Sequence, residues 1–304
     1  MGIVVVGSLA FDNIKTPFGE VKNALGGSAL YFSTAASFFN SVSIVAVVGS
    51  DFNFDEIKFL EDKNVNLKNI SVKAGDTFRW KGYYDFNLNE AHTLETHLNV
   101  FADFKPELTE DILDEDYLFL ANIDPELQLS VIQQMKNPGF IAADTMNYWI
   151  DNKKDKVAEV FTKVDAVTIN EAEIRQFTGE FNLKVAAKKI LDLGVEYVII
   201  KRGEYGVLMI DKYQRVFFTP AYLLETIFDP TGAGDTFAGG MIGYLSTREN
   251  IENDLRKSIV YGSVMASYDV ENFSIKRLKE LSASDIEKRY NHFISYCELG
   301  IKNV

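Results

Sequence analysis

Apolar positions fall along the chain in two rhythms. Short, nearly unbroken apolar runs at Ile3 to Val6, Val42 to Val48, Tyr117 to Ala121, Gly139 to Ala143, Ala166 to Ile169 and Tyr197 to Lys201 predict strands buried on both faces. Between them, apolar residues recur at spacings of three and four: Ala29, Leu30, Phe32, Ala35, Ala36 and Phe39 behind Gly26-Gly27, and Phe237, Met241, Ile242, Tyr244 and Leu245 further on. Those spacings predict helices. Strands alternating with helices predict an α/β fold, a doubly wound, mostly parallel sheet flanked by helices. Gly206 to Ile210 and Val216 to Thr219 read as a hairpin at its edge, and helices fill most of Thr231 to Glu298.

One segment breaks the alternation. From Thr77 to Phe104, in TFRWKGYYDF and HTLETHLNVF, aromatic and β-branched residues are interleaved with polar ones, as in a sheet exposed on one side. Together with the short polar stretch Asn13 to Lys22, it predicts a small β lid, discontinuous over 13–22 and 77–104, inserted into a single domain spanning 1–304. Open lid edges suit coverage by a second subunit, so a homodimer through the lid is expected.

The chemistry concentrates in Asp229 to Gly240, DPTGAGDTFAGG. Gly232, Ala233 and Gly234 let the backbone turn sharply, with amide N–H groups facing outward at a helix start. Such a turn makes an anion hole, reinforced by the helix dipole. Asp235, in the first turn, is placed to take a proton from an alcohol attacking phosphorus. An ordinary helix start, with Asp235 complementing the dipole, is the alternative.

This stretch resembles the C-terminal signature of the PfkB, or ribokinase-like, family of carbohydrate and nucleoside kinases. The resemblance implies transfer of the ATP γ-phosphoryl to a hydroxyl of a small sugar, polyol or nucleoside, with Asp235 as base and the 232–235 amides as anion hole. Asn170 and Glu173 match the family's N-x-x-E motif, which implies Mg²⁺ ordered with the phosphates through water; Asn170-Glu171-Ala172-Glu173 would otherwise be a capped helix start. Gly203 and Gly206 match the G-x-x-G turn bordering ATP. Lys201 stands where many relatives carry a small hydroxyl residue, and either contacts a phosphate or snorkels at the strand end. Gly26 and Gly27 resemble the glycine pair that lies against the acceptor, and Asp12 the acid that binds its hydroxyls. Here the chain departs from the sugar kinases, with Tyr31 where they usually carry asparagine. Near Val270-Glu271-Asn272 the resemblance implies the neighbourhood of adenine and, in some members, a monovalent cation such as K⁺, to which Asp229 and Thr231 would contribute.

Other candidates lie at the predicted rim. Ser28 offers a hydroxyl to the acceptor or caps the helix. Arg79, Trp80, Tyr83 and Tyr84 lie on the lid, suited to stacking on a base or sugar or to packing. Asn122, Asp144, Thr145 and Asn147 follow strand ends, as rim or capping residues. His92, His97 and His292 lack metal-ligand spacing.

Bulk properties narrow the classes. A net charge of −13 over 304 residues, without a basic run, argues against nucleic acid, and polyanionic ATP would need local positive groups and a metal. No apolar run is long enough to span a bilayer. Cys297 is the lone cysteine, so no internal disulfide is expected, and the opening MGIVVVGSLAF lacks the basic start of a secretion signal; a cytoplasmic protein is expected. The acceptor sites Asn69-Ile70-Ser71 and Asn272-Phe273-Ser274 would then go unglycosylated. A dehydrogenase is disfavoured because no G-x-G-x-x-G follows the first strand, and a P-loop kinase because GxxxxGK[ST] is absent. The remaining alternative is a catalytically silent nucleotide- or sugar-binding regulatory protein of the same fold.

Overall fold

The computed structural model describes residues 2–297; Met1 and Glu298, the expected end of the helical run, lie outside them. The described residues form fourteen strands: β1 (Ile3–Val6), β2 (Ala10–Thr16), β3 (Gly19–Gly26), β4 (Val42–Gly49), β5 (Val65–Asn66), β6 (Ile70–Lys73), β7 (Phe78–Tyr83), β8 (His92–His97), β9 (Tyr117–Leu120), β10 (Phe140–Asp144), β11 (Ala166–Asn170), β12 (Tyr197–Lys201), β13 (Val207–Asp211) and β14 (Val216–Thr219). The helices are α1 (Ser28–Ala36), α2 (Pro125–Gln134), α3 (Asn147–Asn152), α4 (Lys154–Phe161), α5 (Glu171–Thr178), α6 (Leu183–Leu191), α7 (Ala233–Leu245), α8 (Ile251–Asp269), α9 (Lys276–Lys279) and α10 (Ala283–Cys297).

The main sheet runs β14-β13-β12-β11-β10-β9-β1-β4-β5, with β6 also on β4. All its pairs are parallel except β12–β13 and β13–β14, the predicted edge hairpin. Its central strands are apolar at most positions because both faces are covered. Ile3, Val5, Ile44 and Ala46 pack towards α1, α7 and α8, whereas Val4, Val6, Val45 and Val47 face the side of α2, α4, α5 and α6. Strand order reverses around β1, which pairs with β4 on one side and β9 on the other. In such sheets ligands collect at the carboxyl ends of the strands. That edge carries Asp144, Asn170 and Lys201, the last residues of β10, β11 and β12.

A separate four-stranded sheet, β3-β2-β7-β8, forms the lid. It begins at Ala10 rather than Asn13, and its first hairpin returns as far as Gly26, so Asp12 lies inside a lid strand, opposite Ala24. The predicted helix start at Gly26-Gly27 moves by a residue or two: Gly26 ends β3, Gly27 is the N-cap, and α1 starts at Ser28. Residues 99–103 turn as a short 3₁₀ helix instead of extending the lid sheet.

The small residues late in DPTGAGDTFAGG serve packing. A Cβ on Gly239 would stand 2.2 Å from the Phe32 carbonyl oxygen of α1, and one on Gly240 2.7 Å from Met265 Cγ of α8. α7 is therefore wedged between α1 and α8, which fixes the direction in which its N-terminus points. No helix among the described residues is long and apolar enough to cross a membrane.

Candidate active site

The candidate anion hole is a backbone reversal ahead of α7. Asp229 Oδ1 accepts the Thr231 N–H at 2.9 Å, and Gly232, at the N-cap, takes a left-handed φ of 83°. A side chain there is excluded twice, since its Cβ would also lie 2.4 Å from the Tyr31 ring. The Ala233 N–H turns back onto Pro230 O at 3.2 Å. The amides left without an acceptor among the described residues are those of Gly232, Gly234 and Asp235, so Ala233 shapes the hole without lining it.

Asp235 follows at once, partly exposed in the first turn. Burial pushes its carboxyl up to about 7, Asp144 adds to the rise, and Lys201 opposes it. The Lys201 ammonium is 2.5 Å from Asp144 Oδ2 and 3.1 Å from where a Gly234 Cβ would stand. Burial alone would lower the Lys201 pKa, but Asp144 and Glu173 hold it above the usual lysine value. One cation thus sits over the helix start among three carboxylates, Asp144, Glu173 and Asp235.

Asn170 and Glu173 cap α5 reciprocally: Glu173 N–H donates to Asn170 Oδ1 at 2.8 Å, and Asn170 N–H to Glu173 Oε2 at 2.9 Å. The capping arrangement considered from sequence is therefore present, and it points the Glu173 carboxylate back towards the strand ends. Burial lifts this carboxyl to about 7, with Asp144 adding and Lys201 opposing. Glu171 drops out of the acidic pair, because Arg202 at 2.6 Å and Arg175 at 2.5 Å neutralise it and hold its pKa low.

The turn after β12 is a 3₁₀ helix, Gly203–Tyr205, closed by Gly206 N–H donating to Gly203 O at 3.0 Å. Gly203 needs to be bare, since a Cβ would stand 1.8 Å from Asn89 Oδ1. That same oxygen accepts the Glu204 N–H at 3.3 Å, so the loop joining β7 to β8 reaches across to the G-x-x-G turn.

On the lid, Asp12 is 4% exposed and lies against Gly26, where a Cβ would stand 1.8 Å from Asp12 Oδ2. Burial raises this carboxyl to about 8, with Asp229 and Asp235 adding. Thr231 donates its hydroxyl to Tyr84 Oη at 3.3 Å, tying the lid to the turn before α7. Ser28 is committed to structure: its Oγ accepts the Ser8 N–H and its N–H donates to Ser8 Oγ, both at 3.1 Å. Arg79 is paired with Asp51 at 2.7 Å and bonded to Asn23 at 2.9 Å, its guanidinium 5.0 Å from the Phe11 ring centre. Asn122 spends its side chain on Trp149 Nε1–H, 3.0 Å, and on Met146 Sδ.

Three features escaped the sequence reading. Asp144 entered only as a rim residue, yet it holds Lys201. Tyr84 reaches Thr231. Asp269, fully buried at the end of α8, has neither carboxylate oxygen hydrogen-bonded and is raised well above an ordinary aspartate by burial, Asp229 and Asp235. Its one sequence signal was an acid closing a largely apolar helical face, VMASYD.

With this geometry in place, comparison with known proteins is direct. The description pfkB family carbohydrate kinase matches residues 3–277. The cytidine kinase of Thermococcus kodakarensis is 27% identical over 259 residues, covering 84% of this chain and 92% of the relative. Among solved structures, an E. coli protein described as a ribokinase II, in complex with ATP and Mg²⁺, aligns with a TM-score of 0.77 at 18% identity, covering 96% of this chain and 99% of that one. The nucleoside kinase of Burkholderia thailandensis, in complex with ADP-inosine, aligns at 0.78 and 16% identity, covering 97% of each chain.

Proposed function

The chain belongs to the pfkB family of carbohydrate kinases, a family of phosphotransferases, and from that premise we propose that it transfers the γ-phosphoryl of ATP to a hydroxyl of a nucleoside. The observation that carries the reading is Asp235 beside three unengaged amides, with the Lys201 ammonium against Gly234.

Asp12 anchors acceptor hydroxyls, for which it has no competing hydrogen bond among the described residues. Asp235 takes the proton of the attacking hydroxyl, and a carboxyl at about 7 is matched to that task near neutral pH. The amides of Gly232, Gly234 and Asp235 stabilise charge on the phosphoryl oxygens, and Lys201 exchanges part of its hold on Asp144 for phosphate. Gly203 and Gly206 present backbone to the nucleotide, and Thr231 positions the turn between the two substrates. The Glu173 carboxylate, lifted to about 7 by its surroundings, fits a positively charged neighbour, and with Asn170 it would hold Mg²⁺ through water. Bound there, the metal would offset phosphate charge.

The nucleoside is favoured over a small sugar by the likeness to a cytidine kinase and by aromatic faces on the lid, Trp80 and Tyr84. The test is ADP release with ATP and Mg²⁺ across nucleosides, pentoses, hexoses and inositols, with Asp235→Asn as control. Turnover is expected with a nucleoside and should fall by about 10² to 10⁴ in the variant while ATP still binds. A sugar or inositol hit would replace the acceptor, and silence across the panel with ATP bound would favour the non-catalytic alternative.

A further inference from the structure

The β7–β8 hairpin is fastened to the body of the protein at three points along its length. At its root, Asp51, which follows β4, accepts the Thr77 N–H at 2.8 Å through Oδ1 and pairs with Arg79 at 2.7 Å through Oδ2. Midway, Tyr84 Oη accepts the Thr231 hydroxyl at 3.3 Å, at the turn before α7. At its tip, Asn89 meets the turn after β12: Glu204 N–H donates to Asn89 Oδ1 at 3.3 Å, and Asn89 Nδ2–H donates to Glu204 Oε1 at 3.4 Å. Root and tip stand on opposite sides of the ligand edge, because β9, β10, β11 and β1 lie between β4 and β12 in the main sheet. At the usual strand spacing that is about 24 Å. The chain from Arg79 to Asn89, about 33 Å when extended, is long enough to cross it.

The tip is shaped for this contact. Asn87 N–H donates to Asp85 Oδ1 at 2.7 Å, and Asn87 Oδ1 accepts Asn89 Nδ2–H at 3.2 Å, so the Asn89 amide is oriented where it meets Glu204. Facing it, Gly203 is left-handed at a φ of 54°, and a Cβ there would stand 1.8 Å from Asn89 Oδ1. Gly203 is therefore bare for the lid tip as well as for its own backbone. Both bonds to Glu204 are exposed, strong enough to favour a docked tip and weak enough to release it.

We propose that Asn89 is a positioning residue for the nucleotide: the docked lid tip fixes the Gly203–Gly206 turn, and the donor half of the cleft is complete only when the lid is shut. The proposal rests on the reading of that turn as a place where ATP binds. The same hairpin carries Trp80 and Tyr84, the aromatic faces assigned to the acceptor. One docking motion thus serves both substrates, and linkage requires each of them to raise the affinity for the other.

The experiment uses the full chain and MgADP without acceptor, so that it does not depend on turnover. Hydrogen exchange is followed over residues 84–92 and 202–206 with and without MgADP. ADP affinity is measured by calorimetry in the wild type, Asn89→Ala, Gly203→Ala and the double variant. MgADP should slow exchange in both segments together. Asn89→Ala should weaken ADP about fivefold, the worth of about one ordinary hydrogen bond, at an unchanged unfolding midpoint. Gly203→Ala should also weaken ADP, because its Cβ displaces the tip, and adding Asn89→Ala should then cost nothing more. Protection confined to 202–206, wild-type affinity in Asn89→Ala, or additive losses in the double variant would each overturn the proposal while leaving the nucleotide site standing. A wild type that binds no ADP would overturn the reading of the turn, and the role of Asn89 with it.

Discussion

Replacing Lys201 by methionine tests its ion pair with Asp144 and its proposed phosphate contact together. Its side chain is 17% exposed and that of its partner Asp144 5%, so the variant strands a buried carboxylate beside Glu173 and Asp235. Breaking such a pair costs about 3–5 kcal/mol, an upper figure here because one of the acids can take up a proton. With about 2.1 cal/mol/K of unfolding entropy per residue over 304 residues, the midpoint of thermal unfolding should fall by about 5–8 °C. Turnover should fall by about 10²–10³, the usual loss when one group stabilising transferred charge is removed. Adding Asp144→Asn tells the two effects apart. With no stranded charge the double variant should regain most of the lost stability, whereas turnover should stay low. Differential scanning fluorimetry and ADP release measure the two quantities on the same samples. If the double variant recovers turnover together with stability, Lys201 serves only to neutralise Asp144, and its phosphate role is refuted.

The remaining predictions concern the base, the turn and the lid. Because Asp235 must be ionised to accept a proton and its carboxyl lies at about 7, kcat/KM should rise tenfold per pH unit below that value and level off above it; a flat profile between pH 5.5 and 8.5 would remove Asp235 as the base. In Lys201→Met the rise should move to higher pH, since Lys201 is the group that lowers this pKa. Gly232→Ala imposes a left-handed φ on alanine and drives its Cβ into the Tyr31 ring, costing about 1–2 kcal/mol for the backbone and about 1–3 for overpacking. An unfolding midpoint and turnover both equal to wild type would contradict that geometry. Phe18, Phe86, Leu94 and Leu98 are exposed on and around the lid sheet, at 50, 89, 57 and 43%, and a homodimer through this surface is expected. Light scattering should give twice the chain mass for the wild type and a shift towards the single chain in Leu94→Glu; a wild-type monomer at micromolar concentration rejects the lid interface.

What the sequence disclosed followed from burial. β1, β9, β11 and β12 are covered on both faces, so their apolar runs carried their positions to within a residue. The start of β2, Ala10 to Asp12, escaped because those three residues are all buried, without the polar alternation of a half-exposed strand. Lys201 and Asp144 are 57 residues apart and meet only because β10, β11 and β12 lie side by side in parallel, an order that apolar periodicity does not encode. Asp269 is the sharpest case. An acid at the end of a helix ordinarily meets water, and only the packing of α8 against α7 reveals that this one does not.

The charges explain why single side chains should matter so much here. The chain carries a net charge of −13, and the cleft shares the excess: Asp144, Glu173 and Asp235 stand around one ammonium, with Asp12, Asp229 and Asp269 beyond them. Arg175 and Arg202, the guanidinium groups near the Gly203–Gly206 turn, are already spent on Glu171. A polyanion approaching this edge therefore meets one lysine, three amides and whatever metal it brings. With so few positive groups, none has a neighbour able to replace it. Three of the acids are held near neutrality by burial, so each positive charge that enters also lowers the pKa of the carboxylates around it. On the proposed reading, arrival of a metal-bearing nucleotide and ionisation of Asp235 would be one coupled event, and the base would become competent when there is a phosphoryl group for the acceptor to attack.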